Sequence, residues 1–193
     1  MKKPIVTKNE IFEFDPCHSA ISLIHHKYGD IDILPLDEIY EIVKKNDNWV
    51  AWLIGAKIEW AKYLIEELNI DPRISEEFSL FKAIQGGNFG LAKYLLNSSK
   101  GDWTETEGSM FIDVVEGGEE DLARQLIKRG LRNLNDSLSH FCKEFNEKGV
   151  EIILTSGLEK NLEDYKSYTK DYFLSHRGLE FLEKQIKKQK TKL

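Results

Sequence analysis

The stretch GGNFGLAKYLL, residues 86–96, places three glycines ahead of a lysine and an apolar run. Glycine-rich turns that open helices are sites where backbone N–H groups hold phosphate, and Lys93 would then supply a positive charge. The alternative is a tight turn between two packed helices, in which the glycines supply positive φ angles. The first interpretation predicts an enzyme or a nucleotide binder, and the second predicts a structural repeat.

Histidine and cysteine side chains cluster near the N-terminus, where a metal could bind. Cys17 and His18 are followed by His25 and His26, and His18 and His25 would share one face of a helix. No second cysteine is near, and the spacing matches no zinc pattern. We therefore expect these to be polar or partly buried histidines, with no metal.

A further cysteine and histidine stand together near the end of the repeats. His140 and Cys142 are two residues apart, so on a helix their side chains point in different directions. Elsewhere the chain has no Gly-x-Ser-x-Gly motif for a nucleophile. No carboxylate lies within an apolar run that would mark a raised pKa. We expect no enzyme activity, no cofactor and no small-molecule substrate.

The helices that carry these residues recur along the chain. Three segments follow one pattern: AKIEWAKYLI (56–65), GNFGLAKYLL (87–96) and GEEDLARQLI (118–127). Ala61, Ala92 and Ala123 thereby recur every 31 residues. An apolar group precedes each segment, at the i, i+3, i+4 spacing of one helical face. These groups are Trp49, Trp52 and Leu53; Leu80, Ala83 and Ile84; and Phe111, Val114 and Val115.

A fourth copy follows, with Leu138, Phe141 and Cys142 and then VEIIL (150–154), displaced by 27 residues. Each copy is predicted to form a helix, a tight turn, a second helix and a loop. We expect glycines to end the first helices and to supply positive φ in the turns. These are Gly55, Gly86, Gly87, Gly117 and Gly118. A phosphate loop has no reason to recur at this period, so the repeat interpretation is favoured. It predicts a packing role for at least two of Trp49, Trp52 and Trp60, which stand at or next to core positions of the repeat.

GNFGLAKYLL and GEEDLARQLIKRG resemble the second-helix signature of ankyrin repeats, Gly-His-Leu-Glu-Ile-Val followed by a variable residue and two leucines. The resemblance covers roughly residues 47–157. The Thr-Pro-Leu-His opening of the family is absent, and Asp47-Asn48-Trp49-Val50 stands at its place in the first copy. The resemblance implies an all-α fold: an ankyrin-like helical-repeat solenoid with helical N- and C-terminal caps.

This interpretation assigns residues 1–193 to a single domain. Residues 1–46 form the N-terminal helical cap, with helices expected over 20–28 and 36–46. Residues 47–157 hold about four repeats. Residues 158–193 form the C-terminal cap with a basic tail, containing a helical pair at 162–174 and 178–190. Polar, atypical ends are what a repeat array needs for solubility.

The composition is that of an ordinary soluble protein, with 41% hydrophobic and 31% charged residues. No apolar run approaches the roughly 18 residues that span a bilayer, and the start MKKPIVTKNEIFEF does not resemble a secretory signal. Two cysteines that are distant in sequence suggest free thiols in a reducing compartment. We expect a cytoplasmic protein.

Acidic residues are concentrated in one segment. The net charge is −6, although the last ten residues carry five lysines and no acid. From Asp102 to Asp121 there are eight acids and no lysine or arginine. Such a segment repels nucleic acid and attracts cationic surfaces. The alternative is a solvated acidic face without a partner.

The ankyrin resemblance implies a concave groove made by loop tips and by exposed positions of the first helices. The residues that map to it are Asp71, Arg73, Glu76, Gln85, Asp102, Trp103, Glu105, Glu107, Glu116, Arg132, Asn133 and Asn135. Trp103 lies in a polar, acidic loop, where it is either an exposed interface anchor or a residue folded back over its own loop.

The leading hypothesis is a non-catalytic module, monomeric alone, that binds another protein with a basic surface. Neutralisation of a basic toxin or effector, as by an immunity protein or antitoxin, is one setting. A phage or viral protein that inhibits a host defence factor is an alternative. Two other classes stay open: nucleic-acid binding through the lysine-rich tail, and a nucleotide-binding enzyme built on residues 86–93. No membrane partner is expected.

Overall fold

The computed structural model describes residues 2–14, 17–29, 32–75, 78–98, 103, 108–131, 134–156 and 176–191. This described part is mostly helical, with one small two-stranded sheet, so the all-α prediction is confirmed at that level. Its contacts divide the chain into two compact units, Met1–Gly101 and Asp102–Leu193. The boundary falls between the second and third copies of the sequence repeat.

The N-terminal part of unit 1 joins a strand pair to three helices. Strand β1 (Ile5–Thr7) runs antiparallel to β2 (Ile33–Pro35), and Val6 pairs with Leu34. Helix α1 (Lys8–Glu13) begins at a capping box, in which Thr7 Oγ1 accepts from Glu10 N–H at 3.2 Å. Helices α2 (His18–Tyr28) and α3 (Leu36–Val43) confirm the two helices expected there. The strands were not expected, because three residues are too few to show alternation.

The rest of unit 1 is two helix pairs. Helix α4 (Asp47–Ala56) is followed by α5 (Ile58–Lys62), which continues as a π-helical turn (Tyr63–Glu67). Helix α6 (Phe78–Gln85) is followed by α7 (Phe89–Ser98). Helix α4 packs on α6 and α5 packs on α7, so the two pairs lie side by side.

Unit 2 repeats this arrangement. Its helices are α8 (Gly108–Glu116), α9 (Glu120–Lys128), α10 (Asn135–Lys143), α11 (Glu147–Thr155) and α12 (His176–Lys190). Helix α8 packs on α10 and α9 packs on α11, while α12 contacts both α10 and α11. The helix expected over 162–174 lies outside the described residues.

Burial follows the sequence repeat. Helices α6, α8 and α10 bury the same four positions: Ser79, Leu80, Ala83 and Ile84; Met110, Phe111, Val114 and Val115; and Ser137, Leu138, Phe141 and Cys142. In the second helices Ala61, Ala92 and Ala123 are completely buried. The residues that recur in the sequence are therefore the residues that form the core.

The turns between paired helices also repeat. Gly87 and Gly118 have φ angles of 67° and 78°, and the N–H after each bonds to the carbonyl five residues back. Asn88 N–H donates to Ala83 O at 2.8 Å, and Glu119 N–H donates to Val114 O at 3.0 Å. The fourth copy has the same bond, from Asn146 N–H to Phe141 O at 2.8 Å. This left-handed closure is a common way to end a helix, and it confirms the turn role of Gly87 and Gly118.

The first copy departs from the pattern at Gly55, which lies inside α4 and not in a turn. A Cβ atom on Gly55 would stand 2.6 Å from Ser79 O, so glycine permits a close approach of α4 to α6. This contact sets which face of α4 is covered. Trp49 and Trp52 are consequently only half-buried, whereas Trp60 is 2% exposed. Trp60 therefore has the predicted packing role, whereas Trp49 and Trp52 are only partly covered.

Candidate functional site

A line of exposed side chains follows the first helices of unit 2. On α8 it consists of Ser109, Asp113 and Glu116, spaced i, i+4, i+7 along one side of the helix. The equivalent residues of α10 are Asp136, His140 and Lys143. We call these six residues the unit 2 stripe. They stand out because most of the intervening positions are the ones that the repeat buries.

Acids dominate the stripe. Asp113, Glu116 and Asp136 are exposed carboxylates, against one lysine and one histidine. Glu116 Oε1 lies 2.7 Å from His140 Nε2, which joins α8 to α10. An exposed pair of this kind contributes little stability, so the carboxylates stay hydrated and able to meet a cationic partner.

Two of the sequence-predicted residues in unit 1 bind each other. Arg73 donates through Nε and through its terminal nitrogen to Asp71, at 3.1 and 2.7 Å. The guanidinium holds the pKa of Asp71 below its usual value. Gln85 is exposed at the end of α6, and its Oε1 lies 3.4 Å from Lys82 Nζ. The structure thus places Asp71 and Arg73 in one ion pair on an exposed turn.

The remaining predicted residues are spread over unit 2 or are not described. Glu116 ends α8, and Asn135 begins α10, where it is half-buried. These two lie at opposite ends of neighbouring helices, so they do not form one local cluster. Six further predictions lie outside the described residues: Glu76, Asp102, Glu105, Glu107, Arg132 and Asn133.

Trp103 is completely buried. Its backbone N–H donates to Arg129 O at 2.8 Å, which ties it to the end of α9. The expectation of an exposed anchor is wrong, because the apolar area of an indole ring is large enough to favour burial even within a polar segment. Its side chain is not available at the surface.

A group of ion pairs connects the second helices of unit 2, which the sequence analysis did not anticipate. Glu120 accepts from Arg124 at 2.8 Å and lies 2.6 Å from Lys148. Arg124 also donates to Thr155 at 3.0 Å. Lys148, and then Arg124, lower the pKa of Glu120. These charges are matched by one another, so the group ties α9 to α11 and is a poorer candidate for a binding site.

The cysteines and histidines show no ligand arrangement. Among the described residues, no three His, Cys, Asp or Glu side chains are placed to hold a metal ion. His18, His25 and His26 are exposed, as is Cys17. Cys142 is buried, which raises the pKa of its thiol to about 12 and makes it a poor nucleophile at neutral pH.

The glycine-rich stretch at residues 86–90 forms the turn between α6 and α7. Asn88 Oδ1 accepts from Leu91 N–H at 3.1 Å, so an N-terminal amide of α7 is satisfied by its own cap. Lys93 lies on α7 itself, at half exposure. This geometry is that of a capped helix start.

Unit 1 contains a cleft of about 640 Å³ between α2, α3, α4 and α6. The half-buried Trp49, Trp52 and Phe78 line it, together with Lys82. The cleft was not predicted from the sequence, in which Trp49 and Trp52 stand at or next to apolar positions of the repeat. Only the close packing at Gly55, a contact between distant residues, leaves them partly uncovered.

No helix in the described ranges combines the length and apolar character needed to cross a membrane. Protein-family models, characterised proteins and solved structures gave no match to this chain.

Proposed function

We propose that the chain is a non-catalytic binding module for another protein, and that the unit 2 stripe contacts this partner. The observation that carries the proposal is the repeated burial pattern of α8 and α10. That pattern leaves the same positions of both helices exposed, or partly exposed at His140, and three of the six side chains there are carboxylates.

The architecture that fits this role is an ankyrin-like solenoid with helical caps, as the sequence resemblance implies. The turns at Gly87 and Gly118 and the buried positions of α6, α8 and α10 support it. In such an array the first helices line the binding side, and α8 and α10 are first helices.

The partner we propose carries a basic surface. Opposite charges raise the rate of encounter and disfavour wrong partners, and the effect weakens with salt. A basic toxin or effector, neutralised by occlusion, is one partner of this kind. A defence factor inhibited by a phage or viral protein is another. Cys17 is exposed, and an exposed free thiol suits a reducing compartment such as the cytoplasm.

Charge reversal on the stripe tests the proposal. The variant Asp113→Lys, Glu116→Lys, Asp136→Lys is used as bait for affinity capture from the native host, beside the unaltered chain. We expect basic proteins captured by the unaltered chain at low salt to be recovered at least about tenfold less by the variant.

A matched triple variant keeps the charge change and alters its position. Glu59, Asp121 and Glu183 are exposed on α5, α9 and α12, so Glu59→Lys, Asp121→Lys, Glu183→Lys serves as the control. It should capture the same proteins as the unaltered chain. If both variants lose the captured proteins equally, only net charge matters. If the stripe variant recovers them as well as the unaltered chain does, the stripe is rejected as the contact surface.

A further inference from the structure

The cleft in unit 1 exposes aromatic surface that the repeat normally buries. Trp49 and Trp52 occupy the positions at which α6 buries Leu80 and Ala83. Both indoles are only half-buried, and both border the cleft. Trp52 is also held in place, since its Nε1–H donates to Phe14 O at 2.8 Å. The two rings are therefore an oriented apolar surface in contact with solvent.

The opposite wall comes from α6 and carries a cation. Phe78 and Lys82 line the cleft, at the α6 positions that correspond to Ser109 and Asp113 of the unit 2 stripe. Lys82 Nζ lies 5.8 Å from the centre of the Phe78 ring. The same position is thus basic in α6 and acidic in α8, so the two helices would favour ligands of opposite charge.

The charge of the lining has one sign. Within the described residues, the ionisable side chains that border the cleft are Cys17, His18 and Lys82, with no Asp or Glu. Glu13 borders a smaller adjoining cavity of about 280 Å³, which shares Trp52 and Lys82 with the cleft. Among the described lining residues a cationic ligand would find no carboxylate, whereas an anion would find Lys82.

The size of the cleft matches a small molecule. Pockets that bind small ligands span roughly 300–1,000 Å³ and combine apolar walls with a few polar groups. The cleft, at about 640 Å³, lies within this range. Helix α2 contributes His18, Ala20 and Ile24 to the lining.

We propose that this cleft binds an apolar anion: a hydrophobic body, lying against Trp49 and Trp52, that carries one carboxylate directed at Lys82. The hydrophobic effect holds the body, because its binding removes indole surface from water. The ammonium group of Lys82 selects the charge. This site is independent of the unit 2 stripe and of the partner proposed for it.

Three probes with one apolar body and different head groups test the proposal: sodium decanoate, 1-decanol and decyltrimethylammonium. Each is titrated below its micellar concentration while tryptophan fluorescence is recorded. We expect saturable binding of decanoate at one site, with an affinity about tenfold above that of decanol and no binding of the ammonium probe. Equal affinities for the three probes, or no saturation with decanoate, would overturn the proposal.

Two variants locate the site, with circular dichroism used to confirm that both are folded. Lys82→Gln should reduce decanoate affinity to that of decanol without changing decanol binding. Trp49→Ala should weaken both. Lys128→Gln, an exposed lysine on α9, removes the same charge elsewhere and should have no effect. If Lys82→Gln and Lys128→Gln behave alike, the anion site is rejected.

Cysteine alkylation gives a second readout. Cys17 borders the cleft and is exposed, and Cys142 is buried. Saturating decanoate should slow the reaction of Cys17 with iodoacetamide several-fold while Cys142 stays unmodified. Unchanged Cys17 reactivity at saturation would place the probe elsewhere. Tryptophan emission that shifts with protein concentration, without any probe, would instead identify a second copy of the chain as the occupant and refute the proposal.

Discussion

Phe145 shows how one residue can depart from the repeat that surrounds it. It stands at the position of Gly87 and Gly118, and like them it is left-handed, with φ 54°. A bulky side chain in this region is a genuine outlier. The ring is 50% exposed and contacts Phe181 edge-on, with centroids 5.5 Å apart. The strain is therefore linked to a contact that joins the fourth turn to α12.

Substitutions at Phe145 separate the strain from the ring contact. Phe145→Ala and Phe145→Gly both remove the contact with Phe181, but only glycine adopts the left-handed backbone without penalty. We expect the glycine variant to exceed the alanine variant in free energy of unfolding by about 1 kcal/mol. Urea denaturation measures the difference. Equal stabilities, or a more stable alanine variant, would show that the left-handed backbone is not strained.

Among single residues, prediction from sequence was most successful where a backbone angle alone determines which residue type fits. Gly87 and Gly118 were identified as turn residues because their recurrence indicates a positive φ. Phe145 could not be identified in this way, since an aromatic residue gives no indication of a positive φ angle. Trp103 was left between an exposed anchor and a buried ring, because a polar sequence context does not determine whether a single indole is covered; in the structure it is completely buried.

Between elements, the close approach of α4 to α6 at Gly55 explains the orientation of α4, which its apolar periodicity did not predict. The Cβ atom of an alanine at position 55 would lie 2.6 Å from Ser79 O and 2.9 Å from Lys82 Cβ. Gly55→Ala must therefore push α4 from α6. We expect a loss of about 1–3 kcal/mol in the free energy of unfolding, measured by urea denaturation.

Gly90 provides the matched control for this prediction. It lies in α7, exposed, and an added Cβ would meet only Asn88 Oδ1 at 3.9 Å. Gly90→Ala should raise stability by about 0.5–1 kcal/mol, because alanine favours the helix. If both variants are stabilised, the tight contact between α4 and α6 does not exist.

Helices α10 and α11 pack by an exchange of large and small residues. A Cβ on Gly149 would lie 2.5 Å from the ring of Phe141. The equivalent residues of the third copy are Val114 and Leu122, both buried. In the fourth copy the large side chain, Phe141, is on the first helix and faces a glycine on the second. In the third copy the first helix carries the smaller Val114 and the second carries Leu122.

This exchange predicts compensation. Gly149→Leu alone should destabilise the protein severely, by several kcal/mol, because the side chain overlaps the Phe141 ring. Phe141→Val alone should cost about 1–3 kcal/mol through the cavity that it leaves. The double variant recreates the pair of the third copy and should be more stable than the sum of the single effects predicts. A double-mutant cycle by chemical denaturation measures the coupling, and an additive result would contradict it.

At the level of elements, the sequence predicted the helices of the repeats and their pairing in succession, because apolar spacing reports which face is covered. It did not predict α1, the two strands, the π-helical turn at Tyr63–Glu67 or the orientation of α4. The strand pairing and the contact of α4 with α6 join residues distant in sequence. The cleft follows from the orientation of α4, so it too was beyond prediction.

Across the whole molecule, carboxylates paired with lysines join separate segments of each unit. In unit 1, Glu10 of α1 pairs with Lys57 at the start of α5, and in unit 2 Glu147 of α11 pairs with Lys188 of α12 at 3.1 Å. Hydrogen bonds from these lysines are the largest cause that lowers the pKa of each glutamate below its ordinary value of 4.5. Asp37 is lowered in the same way by Lys3.

These shifts determine the sign of the response to acid. Because each carboxyl group has a lower pKa in the folded protein, its stabilising effect is present above pH 4.5 and is lost as the pH falls through the folded value. We expect the free energy of unfolding to be flat between about pH 6 and 8 and to fall below about pH 4.5.

Glu10 is suited to a direct test, since its side chain is 28% exposed and its lysine partner 30%, which limits solvent screening. Glu10→Gln should cost about 0.5–1 kcal/mol at pH 7, and this cost should shrink as the pH falls through the lowered pKa of the native carboxyl. Glu59→Gln, on the exposed side of α5, should leave the profile unchanged. Urea denaturation at each pH measures these values, and a Glu10→Gln variant that loses as much stability at pH 3 as at pH 7 would assign the role of Glu10 to packing instead of charge.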